Sequence, residues 1–152
     1  MNNTLNIALC SLALASGAAT ALEPLPGSKT TVLLDSTTAW DGQPMSYPSG
    51  PAALRAEIVE LAPGAHTGWH EAGVPAVLYL QEGALEIRRR GGQVLRLQAG
   101  AALAVPAHEL HDARALGERP ARLLLVYAAA EGRKTGVALP EFEGGGPTRV
   151  GQ

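Results

Sequence analysis

From residue 52 onward, Gly and Pro recur at short, even intervals, and this punctuation constrains the fold more than any other feature of the chain. LRAEIVEL ends at Pro63-Gly64, VPAVLYLQ at Glu82-Gly83, ALEIRRR at Gly91-Gly92, QVLRLQ at Gly100 and AALAV at Pro106. HELHDARA follows, then a turn at Gly117-Glu118-Arg119-Pro120 and the apolar run ARLLLVYAA. Glycine reaches the backbone angles of tight turns and proline cannot donate to a sheet ladder, so both mark the ends of elements. Short segments bounded in this way match strands rather than helices, and their spacing predicts an all-β sandwich or barrel. Alternation agrees: Leu85 and Ile87 oppose Glu86 and Arg88, and Leu95 and Leu97 oppose Val94 and Arg96. TTVLL at 30–34 reads as a further strand or an N-terminal arm, and the turn-rich stretch 35–51 as loop. The expected layout is an arm and loop over 22–53, one barrel over 54–130 and a flexible Gly-rich tail over 131–152.

The first 21 residues carry no charged side chain, while all 12 basic and 14 acidic residues lie beyond them. LNIALCSLALASGAATA joins a short apolar core to an A-x-A site at Ala19-Thr20-Ala21, which predicts a secretory signal peptide cleaved before Leu22 and a periplasmic or secreted product. The leading MNNTLN has no Lys or Arg, so an uncleaved anchor competes with this reading. The apolar run is short of the ~20 residues of a spanning helix, which argues against that anchor and against stable membrane insertion after cleavage. Cys10 follows Leu9 rather than a small residue, which argues against lipid attachment, and no cysteine lies beyond it. The mature chain therefore has neither disulfide nor thiol chemistry, and its stability rests on one buried core. A net charge of −2 without a basic run excludes a nucleic-acid footprint. Arg88-Arg89-Arg90, before Gly91-Gly92, reads as a solvated hairpin tip.

Two motifs stand inside the punctuated region. Gly64-x5-His70 is followed thirteen positions on by Gly83, and Gly100-x5-Pro106-x4-His111 comes later. Together they resemble the paired motifs of the cupin superfamily, with ALEIRRRGGQVLRL as the hairpin between them. The flanks VLLDSTTAWDGQP and GERPARLLLVYAAAEG are similar to those of small single-domain cupins. The resemblance covers about 54–127 and implies a double-stranded β-helix, the cupin jelly-roll barrel. It also implies frequent dimerisation, through exchanged N-terminal strands or packed sheets, so a homodimer is expected.

Metal-binding cupins present His-x-His-x3–4-Glu in the first motif and one His in the second. Residues two apart in a strand point the same way, so such side chains converge inside the barrel. They suit a divalent transition metal such as Fe, Mn, Ni, Cu or Zn. In this chain the resemblance maps the first and last ligands onto His70 and His111, while Ala72 and Ala76 occupy the other two positions. Two readings stay open. In one, His66 and Glu109 join His70 and His111 in a rebuilt metal site, giving a metal-dependent enzyme of the oxygenase or isomerase type. In the other, His70 and His111 are polar groups in a mainly apolar pocket for a small organic ligand, with Trp69 and Tyr79 as walls and no reaction assigned. Parity places Ala72, Ala76, Leu78 and Leu80 on the side of His70, sends Glu71 to the other side, and His108 at the rim. No Gly-rich phosphate loop, Gly-x-Ser-x-Gly elbow or HExxH helix is present.

Overall fold

The structure, a computed structural model, describes residues 26–138. The expected signal peptide and residues 139–152 of the expected tail lie outside the described residues. The chain divides into two units, Met1–Thr31 and Val32–Gln152. Of the first, the described part is a turn at Pro26-Gly27 followed by exposed irregular residues.

The described residues of the second unit hold nine strands: β1 (Ala52–Leu61), β2 (His70–Ala72), β3 (Ala76–Glu82), β4 (Ala84–Arg89), β5 (Val94–Gln98), β6 (Ala102–Val105), β7 (His111–Leu116), β8 (Ala121–Ala130) and β9 (Gly136–Ala138). They form two antiparallel sheets, ordered β1-β8-β3-β6 and β5-β4-β7-β2-β9. Inward residues of both sheets share one core, including Leu61, Leu78, Leu80 and Leu123 from the first and Leu85, Ile87, Ala113 and Ala115 from the second. This is the all-β architecture expected from the punctuation, and the jelly-roll barrel that the resemblance implies. Leu80, Leu85 and Ile87 are fully buried. Each contributes on the order of 1.5–3 kcal/mol of apolar burial, which suits a chain without disulfides.

The turn residues explain the register. Gly64, Gly83 and Gly100 of the two motifs all take positive φ at strand ends. The seven longer strands fall on the seven punctuated segments, with ends shifted by a few residues. Three parts of the layout differ. TTVLL forms no strand: Val32 and Leu33 are 70% and 52% exposed. A β-branched run becomes a strand only where a ladder partner and an apolar face receive it. The short β2 was hidden within the motif. The expected tail contributes β9, whose Gly136 pairs with Ala72 and whose Ala138 pairs with His70. The loop 35–51 carries a small hairpin of its own, with the bridge Thr38–Pro44 around the turn at Asp41-Gly42. Trp40 N–H then donates to Ala104 O of β6 at 3.0 Å, tying this hairpin to the edge of the first sheet.

Candidate functional site

The chain reversal between the motifs brings β2 and β7 side by side, and their registered pair is His70 with His111. The two imidazole centroids lie 4.3 Å apart with the rings tilted by 55°. Each ring is fixed by the carbonyl two residues before it: His70 Nδ1 to Gly68 O at 2.9 Å, and His111 Nδ1 to Glu109 O at 2.7 Å. A carbonyl oxygen only accepts, so both Nδ1 atoms carry the proton and, in the neutral ring, Nε2 is the free acceptor.

Both imidazoles line a cavity of about 150 Å³ between the sheets. Its remaining walls are mostly aliphatic, with Val59, Leu61, Leu78, Ile87, Val105, Leu123 and Leu125, and its polar lining includes Thr67, Glu71, Tyr127 and Thr135. His111 is 6% exposed, and burial pushes its imidazolium down to about 4; the neighbouring His70 pushes in the same direction. The carbonyl of Glu109 and the charge of Asp112 oppose this without cancelling it. Burial also raises the Tyr127 phenol above its usual range, with Glu57 adding to the effect, so it keeps its proton. Trp40 stands edge-on to His111, with centroids 4.9 Å apart and planes at 83°, and its Nε1 is buried without a hydrogen-bond partner among the described residues. Trp40 and Tyr127 escaped the sequence reading. One sits in a loop with no periodicity; the other lies in an apolar run whose inward face depends on the register of β8.

The other expected site residues go elsewhere. His66 does not join His70: Gly68, with φ of +73°, bends the chain between them and cancels the parity of extended backbone. His66 instead bridges to Arg114 and directs Nδ1 at Asp112 Oδ1, 3.3 Å away, on the opposite side of β7 from His111. The Glu109 carboxylate is taken by Arg89 at 2.9 Å, and this residue serves His111 through its carbonyl alone. Trp69 and Tyr79 do not line the cavity. Trp69 lines a separate depression with Leu110 and the β4–β5 hairpin tip. Tyr79 shares the outer side of β3 with Val77, paired to Ala102 and Leu124. Ala72, Ala76 and Leu78 do line the cavity, and Leu80 is buried in the core. Glu71 also contributes to the lining, and its Oε1 lies 3.5 Å from Nδ1 of the exposed His108, at the limit of a hydrogen bond. His108 occupies a turn position at φ of +63°.

The donors gathered around the cavity do not fit the four-ligand metal set that the motif resemblance implies. Methyl groups of Ala72 and Ala76 cannot ligate, and no group of three or more His, Cys, Asp or Glu is placed to hold a metal among the described residues. What remains is a pair of imidazole nitrogens in an apolar chamber.

Residues 57–127 match the family model described as the cupin domain. No curated protein matches the chain. Among solved structures, it is similar to the DMSP lyase DddQ from Ruegeria pomeroyi, at 23% identity and a TM-score of 0.52 over 60% of this chain and 45% of that one. It is similar too to oxalate decarboxylase from Bacillus subtilis, a protein with Mn(II) centres, at 21% identity and a TM-score of 0.51 over 57% and 24%. Vicilin from hazelnut, Corylus avellana, shares the fold at 14% identity and a TM-score of 0.50 over 57% and 26%. The chain spans less than half the length of each. At these identities the likeness is one of fold, and proteins so differently named on one fold leave function to the site. The motif glycines at the turns, the two facing antiparallel sheets and the cupin-domain match over 57–127 give this chain the cupin fold.

Proposed function

We propose that this protein is an exported single-domain cupin that binds a small organic molecule in its barrel, with no reaction assigned. The observation that carries the reading is the His70–His111 pair, held by two backbone carbonyls at the wall of an otherwise mainly apolar cavity. Such a chamber orients a partly hydrophobic ligand by a few hydrogen bonds. At about 150 Å³ it lies below the ~300–1,000 Å³ of drug-sized pockets, so the ligand is small. A thermal-shift screen of small acids, sugars, alcohols and aromatics tests this. A true ligand at a hundred times its Kd adds about 2.7 kcal/mol to stability. The shift is lost in His70→Ala and His111→Ala. Failure across a broad library sinks the proposal.

A second reading, a metal-dependent enzyme, is favoured by one feature: metal-ligating histidines also donate the non-ligating N–H to a carbonyl, as both do in this barrel. His70 and His111 would then hold the ion with water or substrate in the remaining positions. Elemental analysis of protein purified without a His-tag, after incubation with Fe, Mn, Ni, Cu and Zn, separates the two. Stoichiometric metal that disappears in both alanine variants overturns the first reading; no retained metal removes the second.

Export rests on the uncharged leader and its A-x-A site. It is tested by the N-terminal sequence of the protein recovered from the producing cells, which begins at Leu22 if the proposal holds. A homodimer is proposed from the outer face of the sheet β1-β8-β3-β6. That face presents Leu54, Ile58, Leu124, Val126, Val77 and Tyr79 in registered rows, with Leu54 82% exposed. A flat apolar sheet face of this kind is complementary to a second copy of itself.

A further inference from the structure

Taking the barrel as a ligand cavity, we infer that it is built to receive hydrogen-bond donors: its ligand is a small neutral molecule with at least two O–H or N–H groups, such as a vicinal diol, and not a carboxylate. The inference follows from an inventory of protons. Because Gly68 O and Glu109 O can only accept, His70 and His111 each spend their single N–H on the backbone. Both Nε2 atoms are then acceptors, and neither has a partner among the described residues. Thr67 offers little in return. Its hydroxyl accepts from Ala113 N–H at 3.0 Å and directs its proton to Gly68 O at 3.0 Å. Glu71 also lines the cavity, but its carboxylate is directed toward the exposed His108 and brings no donor. Among the described lining residues, Tyr127 and Thr135 carry the other side-chain donors.

An anionic ligand would meet the lone pairs of two imidazoles. Neither Nε2 has a proton to offer it, and no Lys or Arg is among the described residues that line the cavity. Burying a charge without a matched partner is costly, whereas a diol satisfies both nitrogens without moving a proton. An unpaired buried acceptor also counts against analogues that lack the donor, and sites built to bond an O–H discriminate strongly on that ground.

The experiment compares isosteric probes with wild-type protein dialysed against a chelator. Propane-1,2-diol is set against lactate, and ethane-1,2-diol against glycolate, by titration calorimetry at neutral pH. Trp40 emission in a Trp69→Phe background gives a second readout, since Trp40 abuts His111. The hydroxyl probes are expected to bind about tenfold or more tighter than their carboxylate counterparts, and His70→Phe, which keeps a ring but removes the acceptor, is expected to abolish that binding. Carboxylates that bind equally or more tightly, with binding lost in His70→Phe, overturn the inference while leaving the cavity reading intact. If neither series binds, the inference falls, and the broad screen decides separately whether the cavity reading falls with it.

Discussion

His111 sits where burial, not a charged partner, sets the protonation state. Its pKa is about 4 in the folded chain against 6.5 for an ordinary histidine. Between those values the unfolded chain binds more protons than the folded one, so stability falls as pH drops from 6.5 through 4, and the loss is complete below that. The contribution is on the order of 3 kcal/mol. Denaturant unfolding of wild type and His111→Gln from neutral pH to pH 4 measures it: the variant should show a flatter decline over that window, and parallel curves would refute the assignment. Ala72 and Ala76 give the complementary test. Both line the cavity beside the imidazole pair, so Ala72→His with Ala76→Glu supplies the two missing donors. That double variant is expected to bind Mn, Fe, Ni or Zn stoichiometrically by elemental analysis. Without metal it should melt below wild type, because it carries new polar groups in an apolar wall. No metal uptake would mean that the backbone no longer presents a cupin site. At this scale the sequence was readable where parity held, as at Ala72 and Ala76. It misled at His66, where one glycine bend reversed a side.

Among the elements, the shortest strands matter most to the site. β2 holds His70, and it is sandwiched between β7 and β9 rather than paired along its length with one long neighbour. The approach of the 134–136 segment is close: Gly73 N–H donates to Thr135 O at 3.0 Å, and a Cβ on Gly73 would stand 2.2 Å from the Lys134 carbonyl oxygen. Gly73→Ala must therefore push that segment off β2, and Thr135 and Gly136 line the cavity. The expected result is a loss of about 1–3 kcal/mol in stability and faster amide exchange at residues 134–138. An unchanged melting temperature would contradict the packing described. Such an element has no signal of its own in the sequence. Three residues cannot show alternation, and the β9 segment reads as tail because its strand character comes from the partner it meets.

Across the whole second unit the two sheets present opposite outer faces. The outer face of the second sheet is charged: Glu86 bonds Arg88 at 2.9 Å and Arg96 at 3.0 Å, and these cations, Arg88 foremost, hold its carboxyl below the usual range. Asp112 and Arg114 continue that face, register partners of Arg88 and Glu86. The first sheet shows an apolar outer face, limited at one end by the Glu60–Arg122 pair. Leu54→Glu with Ile58→Lys is therefore expected to convert a dimer to a monomer in sedimentation velocity while the melting temperature stays within a few degrees. A wild-type protein that is already monomeric throughout the accessible concentration range would sink the dimer.

By itself, the sequence determined an all-β sandwich or barrel, because turn glycines and prolines act locally and a strand's inward face follows from alternation within a few residues. It also determined that the family-type ligand set is incomplete, since alanine cannot ligate in any fold. Only the tertiary structure decided the site. The ring pairing, the carbonyls that set both tautomers, the arrival of Trp40 and the loss of His66 and Glu109 to Asp112 and Arg89 all depend on long-range register. At His66 one bend at Gly68 was enough, because extended backbone alternates inside and outside and a bend breaks that alternation.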